Sequence, residues 1–242
     1  SSISTGFEQY KDIDVSLGLS ASYDDLRTLS SASSSLKKQS GEFTEISGNY
    51  GFAFDKRNRK FMPTDGSVIT FRQAFPIFAD KAFIDNTFLA SNYVALSEDV
   101  ITATKLYLSA VNGIDEDVRI SKRKGISSTR LRGFEKGKVG PIDGNDHIGG
   151  NYAAALNLEA NLPNFLPEDS KTDISVFLDF GNVWGVDYDS SISESNKIRS
   201  SAGIYASWNS PIGPMTFVFS NALQKASTDK TEGFNFNLGT TF

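Results

Sequence analysis

One arginine and two carboxylates are the residues of this sequence that are best placed to form a charged site. Arg132 lies in a long segment without strand periodicity, about residues 113–149, and Glu159 and Asp179 lie in two alternating segments that follow it. In both segments the carboxylate falls among the polar residues, opposite the apolar ones. Because enclosed carboxylates need a cation and a guanidinium binds them bidentately, Arg132 is predicted to bridge both acids if the long segment folds back over them. The alternative is an Arg132 in solvent above two hydrated acids.

Few other residues could carry chemistry. The chain contains no cysteine and a single histidine, His147, which excludes disulfide frameworks, thiolate metal sites and most imidazole-based catalysis. His147 lies near Asp143 and Asp146, but a lone loop histidine beside acids is typical of a solvated group. No serine is placed to form a nucleophile with it. We therefore predict that the protein is not an enzyme and has neither a metal site nor a cofactor.

The charge balance argues against a nucleic-acid partner. The sequence has 24 Lys+Arg against 29 Asp+Glu, a formal net charge of −5, whereas surfaces that bind nucleic acids are basic. One basic run, Lys122-Arg123-Lys124, lies in the long segment. It either contacts an anionic lipid surface or is solvated like other charged loops.

The elements that must position these residues are β-strands, because apolar residues recur with period two along most of the chain. The alternation is clearest at residues 234–242, where Phe and Leu side chains share one face and Asn, Gly and Thr share the other. Ten strands are predicted, at about residues 12–24, 43–55, 67–78, 86–96, 101–112, 154–159, 174–181, 198–208, 215–220 and 234–242.

The polar faces of these strands favour a membrane barrel over a soluble one. They carry Asn, Ser, Thr, Gly and Ala with few charges, and long connections roughly alternate with short ones. This pattern is typical of a transmembrane antiparallel β-barrel, whose apolar side meets lipid and whose polar side lines the lumen. A soluble lipid-binding barrel is the alternative. No apolar run reaches the ~18 residues of a spanning helix, and the serine-rich residues 30–35 are predicted to form a mobile loop tip.

Several motifs, in a consistent order, resemble one protein family. The string at residues 127–135, with Arg132-Gly133-Phe134 at its centre, resembles the sixth external loop of the BamA/TamA outer-membrane assembly family, which has an Arg-Gly-Phe tip. Residues 61–66 resemble a turn of that family ahead of a strand. Residues 180–184 resemble its strand-end motif, and residues 210–214 resemble its turn before the penultimate strand. The final strand, which ends in the aromatic Phe242, resembles the family's C-terminal insertion signal.

The resemblance implies how the chain is organised. Family barrels have sixteen strands preceded by periplasmic POTRA domains. Residues 1–242 are therefore expected to be the C-terminal part of an outer-membrane β-barrel domain, with about the last ten strands, an inward loop at about residues 113–149, and neither the first strands nor the POTRA domains.

The resemblance also implies a function and partners. The expected function is to fold and insert other β-barrel proteins in the outer membrane of a Gram-negative bacterium, by strand-edge templating at the barrel seam and by local bilayer thinning. The expected partners are outer-membrane lipid and lipopolysaccharide, client β-barrel proteins and, in the full-length parent, POTRA domains and assembly lipoproteins. A secretion or passive channel barrel of a related family is the alternative.

The first expected site is a loop lock, formed by Arg132, Gly133, Phe134, Glu159 and Asp179. The resemblance assigns the bridging of the two acids to Arg132. Gly133 is expected to supply a tight turn and Phe134 a packed anchor. Any loop can hold a Gly-Phe pair without such roles.

The second expected site is the C-terminal seam strand, in which Phe234, Phe236, Leu238 and Phe242 face lipid and Gly239 weakens or bends the strand pairing. An unsatisfied backbone amide in hydrocarbon costs several kcal/mol. The last strand must therefore either close the barrel or recruit another strand by β-augmentation. An ordinary closing strand is the alternative.

Overall fold

The computed structural model describes residues 1–60, 62–115, 117–163, 170, 172–186, 192–210 and 213–239. Its main element is an antiparallel sheet of eleven strands that follow one another in chain order. These strands are β1 (Ser2–Tyr10), β2 (Ile13–Leu26), β3 (Gly41–Asp55), β4 (Gly66–Ala79), β5 (Phe83–Ala95), β6 (Ile101–Gly113), β9 (Tyr152–Asn161), β10 (Thr172–Trp184), β11 (Arg199–Ser210), β12 (Gly213–Gln224) and β13 (Phe234–Leu238). A small hairpin of β7 (Ile142–Asp143) and β8 (Asp146–His147) lies between β6 and β9.

The all-β antiparallel fold is confirmed, and the described sheet has eleven strands where about ten were predicted. The additional strand is β1, which pairs with β2 from Ser2 opposite Ser20 to Tyr10 opposite Ile13. Its apolar residues are only Ile3, Phe7 and Tyr10, so its local alternation is too weak to distinguish it from a loop. Backbone hydrogen bonds to β2 define this strand, and those bonds depend on a partner that is remote in the sequence.

The two faces of the sheet differ in polarity. On β10, Ser175, Phe177, Asp179 and Val183 are buried and the residues between them are less so. The last strands present aromatic side chains on the opposite face, where the rings of Phe217 and Phe236, and those of Phe219 and Phe234, lie 5.1 Å apart. Phe219 and Phe236 are 53% and 45% exposed. They therefore do not meet in a dry interior, as they would in a soluble barrel, and their exposed face is the one that a membrane barrel turns to lipid.

The sheet has two free edges among the described residues, because β1 pairs only with β2 and β13 only with β12. The described helices are short: α1 spans Ser34–Lys38 and a 3₁₀ turn spans Ile120–Lys122. None of the helices in this part of the chain combines the length and apolarity that crossing a bilayer requires. The serine-rich segment 30–35 leads into α1, whose N-cap Ser33 accepts a hydrogen bond from the Leu36 amide at 3.4 Å.

Candidate functional site

The connection between β6 and β9 contains the predicted inward loop, residues 113–149, and lies against the polar face of the sheet. Several of its apolar side chains are almost completely buried, among them Val118, Leu131, Phe134 and Ile148. Its partners lie on strands far apart in the sheet, from β2 and β3 to β9, β10 and β11. The loop therefore crosses the concave side of the sheet.

Arg132 lies at the centre of this contact, and Asp179 on β10 is its main partner. Its Nε donates to Asp179 Oδ2 at 2.8 Å and its Nη2 to Oδ1 at 2.6 Å, which is the bidentate arrangement. The Arg132 backbone amide also donates to Oδ2, at 3.0 Å. Asp179 is 0% exposed, so nearly all its interactions are with protein groups.

Glu159 on β9 is the second acid beside Arg132, with its Oε1 2.9 Å from Arg132 Nη2. Sequence reasoning missed a further cation, Lys105 on β6, whose Nζ donates to Glu159 Oε2 at 2.9 Å. The four side chains carry two positive and two negative formal charges. This balance satisfies the requirement that buried charges be paired.

Neutral side chains complete the surroundings of Arg132. Its guanidinium carbon lies 3.8 Å from the ring centroid of Phe177 and 5.3 Å from that of Tyr205, within cation–π range. Asn157 Nδ2 donates to Asp179 Oδ1 at 2.8 Å. The Ser201 hydroxyl donates to the Arg132 carbonyl. Three adjacent strands, β9, β10 and β11, thus hold the tip of the loop through both its side chain and its backbone.

Gly133 and Phe134 follow Arg132 in conformations that suit their residue types. Gly133 has φ +88°, and a Cβ at this position would lie 3.2 Å from Ser201 Cβ, so the backbone angle and the space both favour glycine. Phe134 is 2% exposed and belongs to a buried cluster with Ile126, Leu131, Val139, Ala153 and Val183. The loop tip is therefore held by apolar packing as well as by charge.

A second group of charges holds the earlier part of the inward loop against β2 and β3. Arg119 is 3% exposed and lies 3.3 Å from Asp24 Oδ2 and 3.5 Å from Glu45 Oε2. Its guanidinium also lies over the Phe43 ring, 4.6 Å from the centroid. The Ile120 amide donates to Gln39 Oε1 at 2.8 Å. Sequence reasoning missed this anchor, because nothing in the irregular segment indicates which strands it touches.

In the basic run Lys122-Arg123-Lys124, both lysines are paired with carboxylates of the sheet. The predicted contact with an anionic lipid surface and the predicted solvated loop are therefore both wrong for Lys122 and Lys124. Lys122 Nζ lies 2.7 Å from Glu45 Oε2, and Lys124 Nζ is ion-paired with Asp85. These amino groups are committed to carboxylates of the sheet because the inward loop, which carries them, packs on its polar face.

His147 packs against the segment that precedes β13. Its Nε2 donates to the Thr228 carbonyl at 3.2 Å, and its Nδ1 is buried without a hydrogen-bond partner among the described residues. The ring is thus partly buried, with Nδ1 enclosed by protein and Nε2 bonded to a backbone carbonyl. Burial lowers the pKa of His147 below its ordinary value, and the nearby charge of Lys138 acts in the same direction. Asp146 accepts a hydrogen bond from the Ser33 amide at 3.1 Å, which draws it to the loop that carries α1.

The seam strand β13 is short. Phe234, Phe236 and Leu238 are 48%, 45% and 61% exposed on one face, and the strand ends where Gly239 takes φ +108°. Gly239 still donates its amide to the Pro214 carbonyl at 2.8 Å. Phe242 lies outside the described residues. The outer edge of β13 carries backbone groups that no described strand satisfies.

The assembled site is a charge-balanced anchor between a loop and the polar face of a sheet. Its carboxylates are occupied by arginine, lysine and amide donors. The arrangement is suited to holding a loop in one position.

Comparisons with known proteins agree with this architecture. The family described as "Omp85 superfamily domain" matches residues 1–242. The outer membrane protein assembly factor BamA of Neorickettsia risticii is 25% identical over 250 residues, which cover 99% of this chain and 33% of that protein. BamA of Neisseria meningitidis is 33% identical over 139 residues, which cover 46% of this chain and 17% of that protein. The chain thus spans a third or less of the length of these relatives.

A solved structure is similar over almost the whole chain. The crystal structure of BamA from Haemophilus ducreyi lacking POTRA domains 1–3 superposes with a TM-score of 0.87 at 25% identity. The match covers 97% of this chain and 52% of that one.

Proposed function

Because the chain belongs to the Omp85 superfamily, whose bacterial members place it in the outer membrane of a Gram-negative bacterium, we propose that it is the C-terminal barrel portion of a β-barrel assembly factor. Its work is to fold and insert other β-barrel proteins, without catalysis and without a cofactor. The observation that carries this proposal is the inward loop, which the Arg132–Asp179–Glu159 cluster holds across the polar face of the sheet.

The position of the inward loop supports assembly over passive transport. A passive channel needs an open polar path, whereas here the polar face that would line such a path is contacted by the loop from β2 and β3 to β11. Strand-edge templating at the seam between the first and last strands of the barrel is part of the proposal, since an incoming strand can satisfy the backbone groups of an open edge by β-augmentation.

Local thinning of the bilayer beside the seam is the second part of the proposal. The described part of β13 has five residues, which at ~3.4 Å per residue span about 17 Å, against the ~25 Å apolar band of an outer-membrane barrel. The exposed phenylalanines of β13 would meet the surrounding lipid directly.

In the full-length protein, the proposed partners are client β-barrel proteins, outer-membrane lipid with its lipopolysaccharide, POTRA domains that precede this barrel portion, and assembly lipoproteins. The reading frame upstream of residue 1 tests the domain proposal. POTRA-like βααββ repeats there would support it, and their absence would argue against an assembly role.

The functional test is Arg132→Ala in the full-length protein. Cells that depend on this variant are expected to contain less of several β-barrel proteins in their outer membranes, because the loop lock no longer holds the inward loop. Arg130→Ala is the matched control, since Arg130 lies in the same loop and its guanidinium stacks on Tyr107 at 4.1 Å. Normal client levels together with altered single-channel conductance would contradict assembly and favour a channel.

A further inference from the structure

The segment between β12 and β13, residues 225–233, is here called the last loop. It forms a short antiparallel pairing with the tip of the inward loop, in which Phe134 lies opposite Thr231. The Glu135 amide donates to the Lys230 carbonyl at 3.0 Å, and the Glu232 amide donates to the Gly133 carbonyl at 3.0 Å. The residues that follow Arg132 in the chain, Gly133 to Glu135, are therefore paired with the residues that lead into β13.

The last loop also carries a buried ion pair of its own. Arg199, the first residue of β11, donates from Nε to Asp229 Oδ2 at 2.9 Å and from Nη2 to Oδ1 at 3.0 Å. Both side chains are 0% exposed. Asp229 Oδ2 in addition accepts the Ala226 amide at 2.7 Å, which closes the last loop on itself.

The same arginine binds two other segments. Arg199 Nη1 donates to the carbonyls of Ser195 at 3.1 Å and Lys197 at 3.0 Å, and it also donates to Asn182 Oδ1 at the end of β10. One guanidinium thus joins the end of β10, the segment before β11 and the last loop. The hydrogen bonds and the ion pair of Arg199 involve none of Arg132, Glu159 and Asp179. The loop lock therefore does not account for them.

We propose that Arg199 and Asp229 are positioning residues of the seam strand, and that the last loop couples the loop lock to β13. The seam strand is held to β12 by five register pairs, from Met215 opposite Leu238 to Phe219 opposite Phe234. Its entry point is set by the last loop, which is fixed on one side by Arg199 and on the other by the inward loop. Loosening either attachment lets β13 separate from β12 more often.

The hydrogen bonds of Ser220 on β12 and the buried Arg199–Asp229 ion pair make this coupling selective for β13. The Ser220 amide donates to the Gly233 carbonyl at 2.9 Å, and the Ser220 hydroxyl donates to the Glu232 carbonyl at 3.1 Å, so β12 grips the last loop where β13 begins. Removing one partner of a buried ion pair leaves the other charge uncompensated and strongly favours opening. The strands β2 to β6 share none of these contacts.

The test is backbone amide hydrogen exchange in the full-length protein in lipid nanodiscs. Arg199→Ala and Asp229→Asn are expected to speed exchange at residues 234–238 about tenfold or more, because local opening controls this exchange. Arg132→Ala is expected to speed it as well, although Arg132 makes no hydrogen bond or ion pair with the described residues of β13. Arg57→Ala is the matched control: its ion pair with Asp55, 2.7 Å long, lies at the end of β3 and should leave β13 unchanged.

A disulfide tests the route of the coupling. Glu135 and Lys230 lie opposite each other in this pairing, and both are exposed. The Cα atoms of a hydrogen-bonded antiparallel pair lie ~5.5 Å apart, within the range of a disulfide. This chain has no cysteine of its own. In Arg199→Ala, the further changes Glu135→Cys and Lys230→Cys are expected to slow exchange at β13 when oxidised, relative to the same protein reduced, because Arg132 and Phe134 still hold the loop tip. Adding Arg132→Ala should abolish that recovery.

Three results would overturn the proposal: exchange at residues 234–238 unaffected by Arg199→Ala, an Arg132→Ala effect confined to residues 127–139, or no difference between the oxidised and reduced tether. Even if Arg199→Ala did not fold, the Arg132→Ala exchange pattern and the tether in a background that retains Arg199 would decide the question. Any role of this coupling in client assembly rests on the proposed function, whereas the exchange pattern tests the coupling itself. Coupled exchange with normal client levels would therefore count against the proposed function alone.

Discussion

Replacing Arg132 with alanine is the perturbation whose size the structure defines best. Its side chain is 8% exposed, and its partner Asp179 is 0% exposed. In the variant, Glu159 keeps Lys105 as a cationic partner, whereas Asp179 keeps only neutral donors, the Asn157 amide and the backbone amide of residue 132. The cost is therefore that of one buried, uncompensated carboxylate, about 3–5 kcal/mol.

This cost applies to the docked inward loop, so it appears as an increase in loop opening. At 1.4 kcal/mol per factor of ten, about 3–5 kcal/mol corresponds to a roughly 100- to 4,000-fold larger opening constant. Amide hydrogen exchange at residues 131–135 measures that constant when closing is faster than exchange. Adding Asp179→Asn removes the uncompensated charge, so the double variant is expected to lose less protection than the sum of the two single variants.

Arg130→Ala is the internal reference for this measurement. Its contact is one cation–π interaction with Tyr107, which is worth about 0.5–2 kcal/mol. If Arg132→Ala and Arg130→Ala reduced protection equally, or if the effects of Arg132→Ala and Asp179→Asn were simply additive, the conclusion that a buried ion pair holds the loop would be refuted.

Three further predictions concern the same loop. Gly133→Ala is expected to destabilise the docked tip by about 1–3 kcal/mol because of its positive φ, and unchanged exchange at residues 131–135 would contradict this. Phe134→Ala is expected to destabilise the protein by about 3–5 kcal/mol, because it removes the ring from the buried cluster, and so to lower the temperature of thermal unfolding. An unchanged unfolding temperature would show that the ring is not an anchor. The pKa of His147 is lowered by burial, so protonation favours the open form of this part of the loop. Hydrogen exchange at residues 142–147, corrected for intrinsic rates, should therefore rise as the pH falls through about 6.5 and below. The His147→Gln variant should lose this pH dependence.

Sequence periodicity predicted most of the fold because each strand with one apolar face carries its own signal. The bounds of β3, predicted at 43–55, differ from the observed Gly41–Asp55 by two residues. The strand β1 was missed because its alternation is weak and its hydrogen bonds with β2, which define it as a strand, cannot be seen in a local pattern. Parity also placed Glu159 and Asp179 on the same face correctly, since a shift of one residue would reverse both.

The contacts that sequence could not supply depend on strand register or on the path of the irregular loop. Lys105 shares the polar face of β6, but its approach to Glu159 follows from the β6–β9 register, in which Ala103 lies opposite Glu159. The pairs Arg119–Glu45 and Arg199–Asp229 join residues that no local pattern connects. The sequence shows that these side chains are charged, but tertiary packing decides which residues they pair with.

The two anchors of the inward loop have a mechanical consequence for the whole sheet. Arg119 holds one end of the loop to β2 and β3, and Arg132 holds the other end to β9, β10 and β11. While both anchors persist, the length of the segment from Arg119 to Arg132 sets an upper limit on the distance between these groups of strands. A change in sheet curvature that exceeded this limit, such as a large widening of the circumference, would have to release one end of the loop, so that barrel diameter and loop docking are linked.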